Sequence, residues 1–210
     1  MVRGGRSRRM RPLLQPGNLL RVTWRARLSE HLGGFNVELI EAHAARVLDD
    51  RLALAAIGSL SGLARLLPER DPHPELYAAT LDVLRAFDDL KLWPARLVRW
   101  ELQLLQELGF GLDLSACAAT GAQTELAYVS PRSGRAVSRG AGQPYGGKLL
   151  DLPAFMLDDD AAADREEIAA GFALTGYFLE RDVLAPHGLA VPQARERLIA
   201  FLARPSKIPA

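Results

Sequence analysis

Apolar residues along this 210-residue chain change their spacing near Ala42. Before that point, from Leu20 to Leu39, they recur at every second position, which is typical of β-strands with one apolar face. After it they recur at the three- and four-residue spacing of amphipathic helices. This change predicts an α+β fold that is mostly α, with a small β unit over residues 1–42 and a helical unit over residues 43–210.

The β unit is predicted to contain a hairpin. The apolar positions of its first strand, all expected to face the core, are Leu20, Val22, Trp24, Ala26 and Leu28. Gly33-Gly34 then indicates a turn, and the alternation resumes at Phe35, so the two strands are expected to pair. A lone hairpin is not a stable domain, because at least three strands or a packed helix are needed. The N-terminal unit is therefore expected either to be incomplete or to pack against the rest of the chain.

Positive charge is concentrated in the same region. Residues 1–29 contain eight arginines and no acidic residue. The rest of the chain contains the other 18 of the 26 basic residues and all 25 acidic residues, so its net charge is −7. Such asymmetry indicates an anionic partner, and arginine favours bidentate contacts with phosphate. The candidate DNA-binding residues are Arg3, Arg6, Arg8, Arg9, Arg11, Arg21, Arg25 and Arg27. The alternative is a protein–protein adaptor whose basic arm binds an acidic protein and has no direct DNA role.

Helices are predicted wherever the helical period continues between prolines and glycines. The expected segments are residues 47–67, 75–90, 94–108, 166–184 and 191–203. No apolar run approaches the roughly 20 residues that cross a bilayer, so no membrane association is expected. A single cysteine excludes an internal disulfide framework and fits a reducing compartment.

Residues 112–147 interrupt the helices with a turn-rich insert that resembles a zinc ribbon without its metal. Cys117 and Thr120 have the spacing of one Cys-x-x-Cys knuckle, and Ser138 and Ala141 have the spacing of a second. A structural zinc ion needs four ligands such as thiolates, and one thiolate cannot hold it. The alternative is an ordinary loop with one small buried cysteine. Neither interpretation predicts a metal or another cofactor.

Residues 142–148 match the G-x-x-x-x-G-K pattern of phosphate-binding loops. The next residue is Leu149 rather than the Ser or Thr that binds magnesium, and Pro144 removes one backbone donor. We therefore expect no nucleotide site there, although an enzyme using Lys148 is the remaining alternative. The sequence contains no arrangement of nucleophile, base and acid that supports catalysis, so the chain is not expected to be an enzyme.

Several short motifs resemble those of the RecO family of bacterial DNA-repair and recombination-mediator proteins, and the resemblance covers nearly the whole chain. The motifs are Trp100-Glu101-Leu102-Gln103-Leu104-Leu105, Leu108-Gly109-Phe110, Leu112-Asp113-Leu114, Cys117, Thr120-Gly121, Leu126-Ala127-Tyr128-Val129-Ser130-Pro131, Ser133-Gly134-Arg135-Ala136-Val137 and Leu152-Pro153. Near the N-terminus, Arg3-Gly4-Gly5-Arg6 to Pro16-Gly17 resembles the middle of that family's OB barrel.

The resemblance implies an N-terminal OB barrel, a helical C-terminal domain, and a zinc ribbon in some members. It implies binding of single- and double-stranded DNA, annealing of complementary strands, and help in replacing single-strand-binding protein with recombinase during repair and homologous recombination. The implied partners are RecR and the acidic, apolar C-terminal tail of single-strand-binding protein. The implied location is cytoplasmic and nucleoid-associated.

The sequence departs from the family at its N-terminus. The family begins with about two further strands, and an OB fold has five. We therefore expect a partial OB-type barrel from a shortened or mis-started gene product, with unpaired strand edges that favour association. A complete five-stranded barrel would contradict this expectation.

Overall fold

The computed structural model describes residues 7–26, 33–159 and 161–203. Within these ranges a β-hairpin precedes a body of helices that carries a small three-stranded sheet. The predicted mixed fold, mostly α, is confirmed. An OB barrel does not form among the described residues, because their N-terminal part contains only two strands.

The predicted hairpin is confirmed. Leu19–Arg25 (β1) pairs antiparallel with Gly34–Glu41 (β2). In this register Leu20 lies opposite Leu39, Val22 opposite Val37 and Trp24 opposite Phe35. Side chains that are directly opposite in an antiparallel pair share one face. We call these six side chains the apolar hairpin face.

The expectation that this face is buried is wrong. The exposed fraction is 54% for Val22, 50% for Trp24 and 40% for Leu39. Alternation does separate an apolar face from a polar one, but it does not say whether another element covers the apolar side. Within the described residues nothing covers it fully. Ala26 is half-buried, and Leu28 lies outside the described residues.

The helical body contains seven α-helices among the described residues. They are His43–Arg46 (α1), Arg51–Ala64 (α2), Pro74–Arg85 (α3), Trp93–Glu107 (α4), Arg139–Gly142 (α5), Arg165–Phe178 (α6) and Gln193–Ala203 (α7). Helix α6 continues as a π-helical segment, Leu179–Leu184, and a short 3₁₀ turn, Ala185–His187. No helix within the described residues is both long and apolar enough to cross a membrane.

Two predicted helices are shorter than expected, and a local side chain explains where the first of them begins. The segment predicted over 47–67 begins only at Arg51, because the Asp50 carboxylate accepts the backbone N–H groups of Leu52 and Ala53 and caps the helix. The segment predicted over 75–90 ends at Arg85. The residues after Arg85 form turns, and Asp89 accepts the backbone N–H of Lys91 at 2.9 Å.

Helix α4 is the centre of the core, as its apolar stripe predicts. Leu97, Trp100 and Leu104 are almost completely buried, and α4 packs against both α3 and α6. Trp100 Nε1 donates a hydrogen bond to Thr80 Oγ1 of α3 at 2.8 Å. The helix ends before Gly109, whose positive φ of 85° suits a glycine after a helix C-terminus.

The insert forms a three-stranded antiparallel sheet in which Leu126–Val129 (β3) lies between Ala136–Ser138 (β4) and Leu150–Asp151 (β5). The expectation that residues 112–147 contain no helix is wrong, because α5 and a 3₁₀ turn, Gln143–Tyr145, follow β4. The backbone approaches Tyr128 closely at Gly142, where an added Cβ would lie 2.4 Å from the ring, so this short helix packs directly on β3. Residues 142–148 thus connect a helix to a strand, whereas a phosphate-binding loop connects a strand to a helix.

Candidate nucleic-acid interface

Five of the eight predicted DNA-binding arginines lie within the described residues. Arg8, Arg9 and Arg11 are exposed on a series of turns over residues 7–17, and Arg21 and Arg25 are exposed on β1. The other three, Arg3, Arg6 and Arg27, lie outside the described residues. The five described guanidinium groups therefore belong to one continuous N-terminal segment.

The arginines of β1 point away from the apolar hairpin face. Successive side chains of a strand alternate between its faces, so Arg21 and Arg25 share the face opposite Val22 and Trp24. Arg21 Nη1 lies 3.4 Å from Glu38 Oε2 on β2, and both side chains are about two-thirds exposed. An exposed pair of this length contributes little. Among the described residues, Arg25 has no carboxylate partner.

Asn18 fixes the turns over residues 7–17, called the basic turns because they carry Arg8, Arg9 and Arg11, to both the hairpin and the helical body. Its Nδ2 donates to the carbonyls of Pro12 and Leu13 at 2.9 and 3.1 Å, and its Oδ1 accepts the N–H of Ala44 at 3.1 Å. The preceding Gly17 has a positive φ of 93° and leaves room for Ile57 of α2. Sequence reasoning missed Asn18, although a Gly-Asn pair before a strand is a recognised turn signal.

At the same end of the hairpin, the last residue of β2 is tied to α3 by charge. Arg85 Nη2 donates to Glu41 Oε1 at 2.7 Å, and this hydrogen bond is the main cause that lowers the pKa of the Glu41 carboxyl. Glu41 Oε2 also lies 3.1 Å from Nε2 of the buried His43, without the alignment of a hydrogen bond. Burial lowers the pKa of the His43 imidazole, so this ring is neutral at physiological pH. Arg46 pairs with Asp88, so the arginines at this junction are already used by the fold.

Three aromatic side chains, Trp24, Phe35 and Tyr128, are candidates for stacking on bases, and Trp24 is the most accessible of them. Its ring lies against Gly33, where an added Cβ would be 2.3 Å from Nε1, and half of the side chain is exposed. Tyr128 packs instead on Gly142 and is half-buried. The expectation that Trp24 belongs to the core is wrong for the reason given above.

The insert brings together three of its four predicted knuckle positions. The backbone N–H of Ser138 donates to Cys117 Sγ at 3.2 Å. Hydrogen bonds from the Ser138 and Thr120 hydroxyls lower the pKa of the Cys117 thiol to about 6. Serine and threonine thus donate to the sulfur where a ribbon would have further thiolates. Among the described residues no group of three or more His, Cys, Asp or Glu side chains could hold a metal ion.

This thiolate predicts a pH dependence of stability. An unfolded cysteine titrates near pH 8.5, so the folded state binds fewer protons between about pH 6 and that value, and stability rises with pH across this window. The contribution is lost as pH falls through about 6. Urea unfolding of Cys117→Ala should show a weaker rise over the same window than the parent chain. If the free energy of unfolding changed with pH in the same way for both proteins, the Cys117 thiol would not be ionised in the folded state.

A separate apolar pocket of about 270 Å³ lies in the helical body. Leu52 of α2, Pro94 of α4 and Ile168 of α6 form part of its wall, together with Phe201 and Leu202 of α7. Its polar rim consists of Lys91, Asp164 and Arg165. Arg165 Nε donates to the Leu202 carbonyl at 2.7 Å, and the Asp164 carboxylate caps the N-terminus of α6. This pocket can accept an apolar side chain next to a rim that contains two cations and the carboxylate of Asp164.

Comparison with known proteins shows that this chain is similar to DNA repair proteins. A family model described as "Recombination protein O C terminal" matches residues 48–189. DNA repair protein RecO of Methylorubrum extorquens is 52% identical over 207 residues, which cover 96% of this chain and 84% of the relative. The protein of the same name from Rhodopseudomonas palustris is 52% identical over 214 residues, covering 100% and 86%. That from Beijerinckia indica is 54% identical over 209 residues, covering 99% and 82%.

Proposed function

Because the chain belongs to the RecO family of DNA repair proteins, we propose that it is a recombination mediator that binds single- and double-stranded DNA. In this role it promotes annealing of complementary strands and helps to replace single-strand-binding protein with recombinase. The observation that supports DNA binding most directly is the exposure of Arg8, Arg9, Arg11, Arg21 and Arg25 on one anchored segment. The role is one of binding and has no catalytic step.

Phosphate recognition follows from the chemistry of that segment. Guanidinium groups bind phosphate oxygens bidentately, and each neutralised phosphate releases counterions from the nucleic acid. The hairpin would form part of an OB-type barrel, a fold that binds single strands through basic grooves and stacking aromatic side chains. In this proposal Arg3, Arg6 and Arg27 extend the same surface.

The salt dependence of binding tests this interface. Labelled single-stranded oligonucleotide should bind the parent chain less tightly as salt rises from about 50 to about 200 mM. The double variant Arg21→Gln/Arg25→Gln should reduce the slope of log K against log salt by about 1.4, at about 0.7 for each lost phosphate contact. Arg197→Gln, an exposed arginine of α7, is the matched control and should leave the slope unchanged. Absence of binding at low salt would instead favour the protein–protein adaptor.

We also propose that the apolar pocket bordered by Lys91 and Arg165 receives the acidic, apolar tail of single-strand-binding protein. An apolar side chain at the end of the tail would enter between Pro94, Ile168 and Phe201, and the acidic residues before it would lie near the positively charged rim. Both parts of the tail thus meet matching chemistry. The resemblance also implies RecR as a partner, and we include RecR in the proposal on that ground.

Reversing a rim charge tests the pocket without disturbing the core. Lys91→Glu should weaken binding of a labelled tail peptide about five- to tenfold, since one attraction at the surface becomes a repulsion of about 1 kcal/mol. Lys148→Glu reverses an exposed lysine just after the insert, away from the pocket, and should bind as the parent does. Equal affinities for all three proteins would place the tail elsewhere.

A further inference from the structure

A polar cavity of about 450 Å³ opens in the helical body between α3, α4 and the loop before α6. Its lining contains two guanidinium groups, one amide and two carboxylates, which belong to Arg96, Arg99, Gln103, Asp82 and Asp159. Among the described residues, none that lines it belongs to the hairpin or to the basic turns. The helical body therefore forms this cavity by itself, apart from the candidate interface and the pocket beside Lys91.

The three polar residues that α4 contributes form a stripe along one side of the helix. Arg96, Arg99 and Gln103 are three and four residues apart, the spacing that places side chains on the same face. We call them the α4 stripe. At a rise of 1.5 Å per residue the stripe is about 10 Å long, whereas each strand of B-DNA carries a phosphate every 3.4 Å. The stripe is therefore long enough to reach two successive phosphates of one strand.

Backbone carbonyls hold both guanidinium groups of the stripe in place. Arg99 donates from Nε to the Phe155 carbonyl at 2.7 Å and from Nη2 to the Asp158 carbonyl at 2.9 Å. Arg96 Nη1 donates to the Asp82 carbonyl at 3.1 Å. A neutral carbonyl orients a guanidinium group without cancelling its charge. Both groups are thus oriented in advance, which lowers the cost of ordering them on a ligand.

Parts of the stripe have no partner among the described residues. There Arg96 forms no ion pair, and the amide of the half-buried Gln103 makes no hydrogen bond. The Asp82 carboxylate is exposed and does not pair with Arg96. The stripe therefore has donors left for an anion.

We propose that the α4 stripe is a second phosphate-binding site for nucleic acid and that the Asp159 carboxylate occupies it while no nucleic acid is bound. This proposal rests on the proposed function. Asp159 Oδ1 lies 3.2 Å from Arg99 Nε, and its side chain is 92% exposed. So exposed a pair contributes little, and a phosphate can displace it. Carboxylate and phosphate are alternative ligands of the same guanidinium group.

The lining of the cavity favours a phosphate backbone over the acidic, apolar tail of single-strand-binding protein. Of its apolar residues, Trp100 is 1% exposed and Ala79 is small, so only Leu92 offers an accessible apolar side chain. The cavity thus has no hole for an apolar residue, whereas the pocket beside Lys91 has an apolar wall. Repeated cations along one helix instead match the repeated charges of a strand.

Variants of the stripe test the site with a labelled single strand of about 30 nucleotides, longer than the roughly 4–16 that one OB fold occupies. Arg96→Gln should lower the slope of log K against log salt by about 0.7, the value of one phosphate contact. Gln103→Glu keeps the size of the side chain but adds a negative charge, and should weaken binding about three- to tenfold at low salt. Arg99 is left unchanged because its hydrogen bonds hold the loop before α6.

Matched controls make the same changes elsewhere. Arg197→Gln and Gln193→Glu alter exposed residues of α7 and should bind as the parent does. The helical circular dichroism and urea midpoints of all four proteins should match those of the parent.

Removing the competing carboxylate should strengthen binding. Asp159→Asn frees Arg99 and should bind the same oligonucleotide about three- to fivefold more tightly at low salt. Glu196→Gln removes an exposed carboxylate of α7 and should change the affinity less than about twofold. Equal affinities for Asp159→Asn and the parent would overturn the proposal, because a carboxylate beside a bound phosphate must weaken its binding.

The same titrations separate a failure of this site from a failure of the proposed function. If Arg96→Gln and Gln103→Glu bind as the parent does while Arg21→Gln/Arg25→Gln lowers the salt slope, the second site is excluded and the proposed function stands. If the parent itself binds no oligonucleotide at low salt, both proposals are excluded.

Discussion

Replacing Arg195 with methionine is expected to lower the free energy of unfolding by about 3–5 kcal/mol, because it leaves the carboxylate of Glu101 buried without its counter-ion. Glu101 is fully buried in α4, and Arg195 of α7 is 4% exposed. The guanidinium donates from Nε to Glu101 Oε1 and from Nη2 to Glu101 Oε2, both at 2.8 Å. The buried carboxylate of Glu101 keeps these two hydrogen bonds and its counter-ion only while the Arg195 guanidinium is present.

Further contacts enclose the ion pair between three helices. Arg195 Nη2 also donates to the Phe172 carbonyl at 2.8 Å, and the Thr175 hydroxyl donates to Glu101 Oε2 at 2.5 Å. At Gly176 an added Cβ would lie 2.8 Å from the guanidinium, so this glycine makes room for the arginine. The pair therefore fixes α7 against α4 and α6.

Urea unfolding followed by circular dichroism measures this effect. Arg197→Met, two residues along the same helix and exposed, should change stability by less than about 0.5 kcal/mol. The double variant Glu101→Leu/Arg195→Met should recover much of the loss, because no buried charge then remains unpaired. A single Arg195→Met variant as stable as the parent would show that Glu101 reaches water.

Replacing Trp100 with alanine is expected to cost about 3–5 kcal/mol by creating a cavity in the centre of the core. The ring is 1% exposed, and its Nε1 bonds to Thr80, whose own hydroxyl donates to the Leu76 carbonyl at 2.8 Å. A pocket of about 130 Å³, lined in part by Gly17 and Ile57, already borders the ring. Loss of the indole would join this pocket to the new cavity and weaken the packing of the basic turns at Gly17 against Ile57.

Two variants separate the causes of this loss. Trp100→Phe keeps most of the aromatic volume but removes the donor to Thr80, so it should cost about 1–2 kcal/mol. Tyr77→Ala removes an aromatic side chain of α3 that is 55% exposed, and should cost less than about 1 kcal/mol. A urea midpoint that is lowest for Trp100→Ala, intermediate for Trp100→Phe and highest for Tyr77→Ala would support the packing described. Equal midpoints for Trp100→Ala and Tyr77→Ala would contradict it.

Local sequence patterns predicted which helices and strands form better than they predicted where each one begins and ends. The stripe of Leu97, Trp100 and Leu104 predicted α4 because a buried helix repeats its apolar residues at helical spacing. The start of α2 was missed because the Asp50 side chain, rather than apolar spacing, determines it. Boundaries depend on single hydrogen bonds, which periodicity does not contain.

Contacts between distant segments could not be predicted from spacing at all. Glu101 and Arg195 are 94 residues apart, and each alone resembles an ordinary exposed charge on a helix. The apolar hairpin face was expected to be buried because alternation shows which side is apolar and not what lies over it. Cys117 and Ser138, one position from each proposed knuckle, do lie in contact, but the interpretation of the insert as a ribbon stays a prediction.

The candidate interface was predicted in part. Charge asymmetry identified the N-terminal arginines, and the five that are described are exposed, as phosphate binding requires. Their DNA contacts stay a prediction, as do the boundaries of the units at residues 1–42 and 43–210. The pocket beside Lys91 depends on tertiary packing and had no distinct sequence signal, whereas the Gly-Asn turn signal at Asn18 does not show which distant backbone group, that of Ala44, the side chain binds.

Strand annealing by this chain is the measurement that tests the proposed function most directly. Complementary labelled oligonucleotides should anneal faster with the parent chain than without it, and the acceleration should fall as salt rises. A variant with Arg8, Arg9, Arg11, Arg21 and Arg25 replaced by glutamine should lose the acceleration while its helical circular dichroism and urea midpoint stay unchanged. Equal acceleration by the parent and this folded variant would contradict the account, because the strands would then be held by some other surface.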